Sequence, residues 1–255
     1  MASKDSVSRT VMVALALCVV CSVVVSTAAV VLKDKQVANA ANEKKANILA
    51  AAGIEVVDGD LDAAFAKVTP MLVDMATGTY TDVVDVTAYD DTKAAKDPAM
   101  SIALTAEQDT ASIRRQAKYR TVYLVQGESG LENIILPVHG YGLWSTLYGF
   151  IALEGDLNTV SGLGFYSHAE TPGLGGEVDN PRWKAVWTGK QVFGADASQP
   201  LIGLIKGIAS PETKHDIDGL AGATLTSNGV TNLVRFWMGK DGFAPFLANL
   251  KAGEA

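Results

Sequence analysis

The sequence predicts an α+β protein, an antiparallel sheet with flanking helices, set on one N-terminal transmembrane helix. Three observations carry that expectation. The run from Val11 to Leu32 holds no charged residue and no proline, and a helix needs about 20 such residues to span a bilayer. Two pairs of β-rich segments between Thr121 and Phe165 are each joined by a short polar turn, the pattern of hairpins. Ser227 to Met238 is an amphipathic stretch stopped by Gly239, which reads as a helix.

The apolar run decides how the chain is anchored. Signal-peptide cores run roughly 7–15 residues, and this one is longer. Leu17 and Val20 precede Cys18 and Cys21, where a lipoprotein signal wants a small residue. An uncleaved anchor in membrane lipid follows. Lys4 and Arg9 flank it on one side and Lys33, Lys35, Lys44 and Lys45 on the other. Charge alone therefore does not favour an N-inside arrangement. A ten-residue tail is easier to leave behind than a domain, so with bacterial topology the soluble part lies in the periplasm of a single-pass inner-membrane protein. Cys18 and Cys21 share a helix face, but two thiolates are too few for a closed metal site, and small residues packing against neighbouring helices is the plainer role.

The expected organisation is a tail over 1–10, a transmembrane helix over 11–32, a helical stalk and loop-rich part over 33–117, and the main domain over 118–255. Asp34 to Ala52 is rich in helix formers and ends at Gly53. A second helix is expected over Leu61 to Val68, stopping near Pro70. Asp82 to Pro98 is acidic and loop-like. Thr105-Ala106-Glu107-Gln108 has the form of a capping box and predicts a helix running through Ile113 to Ala117. Strands are expected at Thr121–Val125 and Leu131–Val138 around the turn 127–130. A second pair, Leu147–Leu153 and Thr159–Phe165, flanks the turn Glu154–Asn158. Leu201–Ile205 is a further strand.

Several functions are disfavoured early. The formal net charge is -7 and no basic stripe is interleaved with aromatics, which argues against nucleic acid as a partner. No GxxxxGK[ST] occurs, and Gly140-x-Gly142, Gly162-x-Gly164 and Gly173-x-Gly175 lack the third glycine of a dinucleotide loop. His139, His168 and His215 are far apart without metal-ligand spacing, and no Gly-x-Ser-x-Gly suggests a hydrolase. Neither a catalytic residue nor a metal ligand is expected.

What remains is Asp218-Gly-Leu-Ala-Gly-Ala-Thr224-Leu-Thr226-Ser227. Small residues crowd a turn and hydroxyls lead into the helix. The first free amides of that helix, with its dipole, suit a phosphate. Thr226 and Ser227 are also good N-caps, so on physics alone a merely capped helix is an equal reading. A threonine hydroxyl is a weak nucleophile, so a covalent bond there needs a base or a separate enzyme.

Asp-Gly-Leu-Ala-Gly-Ala-Thr resembles the flavinylation motif of the FMN-binding domain family, in which a flavin transferase esterifies FMN to the final threonine, here Thr224. Ala221 stands where the family has Ser or Thr. Glu170-Thr171-Pro172-Gly173-Leu174-Gly175 is similar to the family's second loop, and His139-Gly-Tyr-Gly-Leu-Trp144-Ser agrees with it. The resemblance covers nearly the whole chain. It makes 118–255 the FMN-binding domain and implies FMN bonded covalently through its phosphate to Thr224. The surrounding cofactor set is then Asp218, Gly222, Ala223, Thr226 and Ser227, with Glu170, Thr171, Gly173, Leu174 and Gly175 from the second loop. Trp144 either packs near the flavin or belongs to the core. Lys206 either faces the reduced ring or is a surface charge.

The implied function is electron transfer within a six-subunit membrane complex that oxidises NADH, reduces ubiquinone and pumps sodium. In it, single electrons pass between an iron–sulfur centre and another flavin-bearing subunit. The flavin protein of the Rnf ferredoxin:NAD complex shares both motifs, and a non-catalytic membrane-anchored FMN module is the reading from another class.

Overall fold

The computed structural model describes residues 6–128, 130–195 and 199–255. The chain divides into two units, Met1–Lys44 and Lys45–Ala255. Helix α1 (Val7–Ala51) passes through the expected span and stalk without a break. It is long and apolar enough to cross a membrane, and Leu15, Val20 and Val25 on it are exposed. Cys18 and Cys21 are free thiols on its surface. Lys4 and Asp5, which bear on orientation, lie outside the described residues.

In the second unit the last turns of α1 change from polar to buried, with Ile48, Leu49 and Ala51 covered. Gly53, at φ +69°, ends the helix as expected. Helix α2 (Leu61–Phe65) is capped by Asp60, whose carboxylate accepts from Ala63 N at 2.9 Å. It stops short of Val68, where strand β1 (Val68–Asp74) begins. This corrects the expected helix through Val68. Pro70 does not stop a helix here but sits in the strand. The carbonyls of Leu72 and Asp74 face strand β2 (Thr79–Tyr80) and its flanks. Pro70 points to that same side beyond where β2 reaches, so its missing N–H breaks no ladder bond.

Helix α3 (Asp91–Ala94) interrupts the expected loop, and strands β3 (Ser101–Ala103) and β4 (Arg115–Ala117) form a small antiparallel pair. The helix expected from Thr105 to Ala117 is not there. The capping-box bonds do form, Thr105 N to Gln108 Oε1 at 3.1 Å and Gln108 N to Thr105 Oγ1 at 3.3 Å. Asp109 then takes the amides of Ile113 and Arg114 on its carboxylate at 2.7 and 2.8 Å. Ser112 and Arg114 adopt positive φ. A side chain competing for amides turns the chain before a helix can propagate.

Both hairpins appear where expected, as β5 (Tyr119–Gly127) with β6 (Gly130–Tyr141), and β7 (Thr146–Glu154) with β8 (Val160–Ser167). Ser129 of the first turn lies outside the described residues. In the second turn, Asp156 Oδ1 accepts from Asn158 N and Thr159 N at 2.9 and 2.8 Å. The six-stranded sheet runs β2-β1-β5-β6-β7-β8 and is antiparallel throughout.

Alternation along the strands builds two cores. Val122, Leu124, Ile134, Leu136, Ile151 and Leu153 face the larger one. Tyr123, Val125, Ile135, Phe150 and Ala152 face the other, which Ile48, Leu49, Ala51 and Ala52 complete. Helix α4 (Pro181–Ala185) precedes the parallel pair β9 (Gly203–Leu204) and β10 (Asp216–Ile217). The strand expected over Leu201–Ile205 is only these two residues of β9. Helix α5 (Thr224–Trp237) closes the larger core through Val230, Leu233, Val234 and Trp237, and α6 (Ala244–Ala252) adds Phe246 and Leu247. Helix α5 begins three residues before the expected Ser227.

Candidate functional site

The early start of α5 changes what its first residues do. Thr224 is the first helical residue and Ala223 occupies the N-cap, with no side chain capping the helix. Thr226 and Ser227 are therefore not caps, contrary to one sequence expectation. Ser227 Oγ instead accepts from Leu220 N at 3.1 Å and closes the small-residue turn. Among the described residues the amides of Thr224, Leu225 and Thr226 have no acceptor, while Ala223 N bonds Leu220 O. Three aligned donors at the positive end of a 14-residue helix are left for an anion.

The turn before Thr224 is held by backbone proximity. Asp218 does not face outward as a ligand group: its Oδ1 accepts from Ala209 N at 2.8 Å and its carbonyl accepts from the Trp183 indole at 2.9 Å. Gly219 lies so close to Ile205 that a Cβ would stand 2.2 Å from its carbonyl oxygen. Gly222 needs its positive φ of +72°, and a Cβ there would meet Leu174 Cδ2 at 3.0 Å. The second loop thus touches the first through Leu174.

Behind this contact sits Glu170, 5% exposed. Its Oε2 accepts from Thr226 Oγ1 at 2.6 Å, and its Oε1 accepts from Leu143 N and Trp144 N, both at 3.0 Å. Burial pushes its pKa up, and the bonds from Thr226, Trp144 and Leu143 more than offset this, so the carboxyl sits below the usual glutamate value. The neighbouring His168 accepts from Glu170 N at its Nδ1 (3.1 Å), which leaves Nε2 to donate to Asp179 at 2.8 Å. A Cβ on Gly142 would come 2.6 Å from Glu170 Oε1, and one on Gly175 would come 2.5 Å from Thr226 Oγ1. The glycines of both loops make room for this carboxylate.

Thr224 is exposed and lines an open cleft of about 670 Å³ together with Asp218, Gly222, Ser227 and Lys206. That size is within the range of small-molecule sites. Of the other expected residues, Ala223 is the buried N-cap, Thr226 is fully buried against Glu170, and Gly175 is buried beside it. Gly173, at φ +76°, and the exposed Thr171 shape the second loop, where Thr171 O accepts from Leu174 N and Gly176 N. Trp144 belongs neither to the core nor to the cleft lining: its indole is 63% exposed.

Sequence reasoning missed Arg182 and Trp183, both lining the cleft. Arg182 is exposed, follows the N-cap Asn180 and Pro181, and makes no side-chain bond among the described residues. The Asn-Pro start of a helix was the available signal. With Lys206 it puts two cations in the cleft that carries Thr224. Its two carboxylates are already engaged, Asp218 by Ala209 and Glu177 by Asn180 Nδ2 at 2.7 Å. The cleft contains no histidine, so no free base stands by the Thr224 hydroxyl.

The comparisons agree with this geometry. A profile of the FMN-binding domain matches residues 142–239. The chain is 54% identical to the NqrC protein of the Na(+)-translocating NADH-quinone reductase of Pseudomonas aeruginosa, over the full length of both. It is 51% identical to that of Vibrio anguillarum, over 98% of each. The crystal structure of Shewanella oneidensis NqrC superposes with a TM-score of 0.79 at 36% identity, covering 84% of this chain and 99% of that one. The crystal structure of the same component from Parabacteroides distasonis gives 0.66 at 26% identity, covering 85% and 96%.

Proposed function

Because the chain belongs to the NqrC family of the Na(+)-translocating NADH-quinone reductases, we propose that it is a membrane-anchored electron carrier with FMN esterified through its phosphate to Thr224 Oγ1. The observation that carries this reading is the uncapped start of α5, where an exposed threonine stands beside three unpaired amides.

The residues fit the group. The phosphoryl would accept from the first-turn amides and take the place of the missing cap, with Arg182 and Lys206 balancing its charge. Leu174, packed against Gly222, offers an exposed apolar surface beside the attachment point. Glu170 acts from behind, fixing the 143–144 backbone and the first turn of α5 relative to one another. The flavin itself supplies the redox chemistry, and the chain supplies position and electrostatics. With no base beside Thr224, attachment falls to a separate flavin transferase. Esterification keeps the carrier from being lost to the periplasm, the compartment we assign to the soluble unit, with α1 crossing the inner membrane. The complex it serves is the six-subunit one that oxidises NADH, reduces ubiquinone and pumps sodium.

The test is co-expression with a flavin transferase followed by denaturing electrophoresis. A fluorescent band is expected from the parent and none from Thr224→Ala. A band of undiminished fluorescence in the variant rules out Thr224 as the attachment point. Purification with NADH- and quinone-binding partners supports the assigned complex, and ferredoxin-dependent partners would replace it with the Rnf relative.

A further inference from the structure

A second cleft, of about 640 Å³, lies between α3, the turn after Asp109, and the ends of β6 and β7. It shares no lining residue with the Thr224 cleft. Its charge runs against that of the chain. Lys96, Arg114 and Arg115 line it against one carboxylate, Asp109, in a protein of net charge -7. Lys96 and Arg114 are exposed, and neither forms an ion pair among the described residues. Arg115 bonds only neutral acceptors, Ser101 Oγ at 2.8 Å and the carbonyls of Ser101 and Pro98. Asp109 spends both carboxylate oxygens on the amides of Ile113 and Arg114.

His139 is the independent observation. It lines this cleft, is only 9% exposed, and stacks on Tyr148 with ring centroids 5.4 Å apart. Its other face meets Trp237 at 5.0 Å. Its carbonyl takes the Trp237 indole N–H, yet neither ring nitrogen has a hydrogen-bond partner among the described residues. A buried polar group without a partner is costly and calls for an explanation. Burial, and then the nearby Arg120 charge, hold its pKa well below the ordinary value, so the ring is neutral and offers one N–H.

We propose that this cleft binds a phosphate-bearing ligand, with the anion between Lys96 and Arg114 and the His139 imidazole donating to it. A guanidinium fork and an ammonium are the usual partners of a phosphate, and a neutral imidazole adds a donor without adding charge. The cleft is larger than a bare anion needs, so the phosphate arrives on a body that packs on Tyr148. A soluble phosphate ester and a phospholipid headgroup share this chemistry.

The test uses the full chain in uncharged detergent with histidine side chains labelled for nitrogen NMR. Inorganic phosphate, glycerol 3-phosphate, short-chain phosphatidylglycerol and short-chain phosphatidylcholine are titrated separately at constant ionic strength. Phosphate is expected to shift the His139 ring signals to saturation. Lys96→Gln and Arg114→Gln, both exposed side chains, are each expected to weaken binding about tenfold or more. Tighter binding of glycerol 3-phosphate identifies a soluble ester, and tighter binding of phosphatidylglycerol a headgroup. A His139 signal that phosphate does not move, or equal affinity in both variants and the parent, overturns the proposal.

Discussion

Thr226 Oγ1 donates to Glu170 Oε2 across 2.6 Å, joining the first turn of α5 to the loop that follows β8. The other oxygen of the same carboxylate holds the amides of Leu143 and Trp144. One buried side chain therefore ties together three segments that are distant in sequence.

Glu170→Gln should lower stability by about 1–3 kcal/mol, since the amide cannot accept from all three donors at once. The pH dependence follows from the depressed carboxyl pKa. Stability from this group is full above its unfolded value of about 4.5 and is lost as pH falls through the lower folded value. The acid limb of a melting-temperature profile should thus be shallower in Glu170→Gln than in the parent. Equal acid limbs would refute the assignment.

Gly175→Ala should be worse than its size suggests. A Cβ would stand 2.5 Å from Thr226 Oγ1 and 2.7 Å from Glu170 Oε2, and both atoms belong to buried groups that cannot swing away. A cost of about 1–3 kcal/mol is expected from overpacking, read as a lower denaturant midpoint at unchanged slope. Gly173→Ala has open space for its Cβ but a positive φ, so its cost should be backbone strain alone, of about 1 kcal/mol.

His139 should remain neutral through the pH range where exposed histidines take up a proton. Its folded pKa is depressed by burial and by Arg120. Its contribution to stability is therefore full above about 6.5 and is lost as pH falls below that toward the folded value. Nitrogen NMR of the ring at about pH 6 should show the neutral form; a protonated ring at that pH would contradict the packing.

Asp91 and Arg120 form a buried pair at 3.3 Å, with the guanidinium 4.4 Å from the Trp237 ring and bonded to Pro137 O at 3.1 Å. Removing only the carboxylate, in Asp91→Ala, leaves a buried charge and should cost about 3–5 kcal/mol by chemical denaturation. The double change Asp91→Ala with Arg120→Met should recover part of that loss. No recovery would mean that the pair is stabilising in its own right.

The parts of the fold legible in the sequence were those where local pattern and tertiary demand agree. The two hairpins alternate apolar residues on both faces of one sheet, and Gly53 and Asp156 do what isolated turn chemistry leads one to expect. Elsewhere local signals pointed away from the result. The capping box at Thr105 forms its bonds, but Asp109 captures the next amides. Pro70 looks like a helix stop and is an edge position, because only the pairing with β2 reveals which side of β1 is open. At the site, the small-residue turn and its threonine could be found by eye. Arg182 could not, since it reaches the cleft from a separate short helix, and Glu170 reads as a ligand although it is a buried tie. The boundary of α5 mattered most: three residues turned supposed caps into something else and left Ala223 at the start.

The buried end of α1 has a consequence for how this protein can be divided. Residues 142–239 match a domain, yet that segment excludes β1, β5 and most of β6. It also leaves out Ile48, Leu49, Ala51 and Ala52, and Ala51 O lies where any Cβ on Gly162 would come within 2.6 Å. The transferable module therefore starts at Lys45, inside a helix that hydropathy assigns to the membrane and its stalk. Evolution or engineering that moves this carrier onto another anchor has to splice helix to helix, in register, rather than exchange it at a loop.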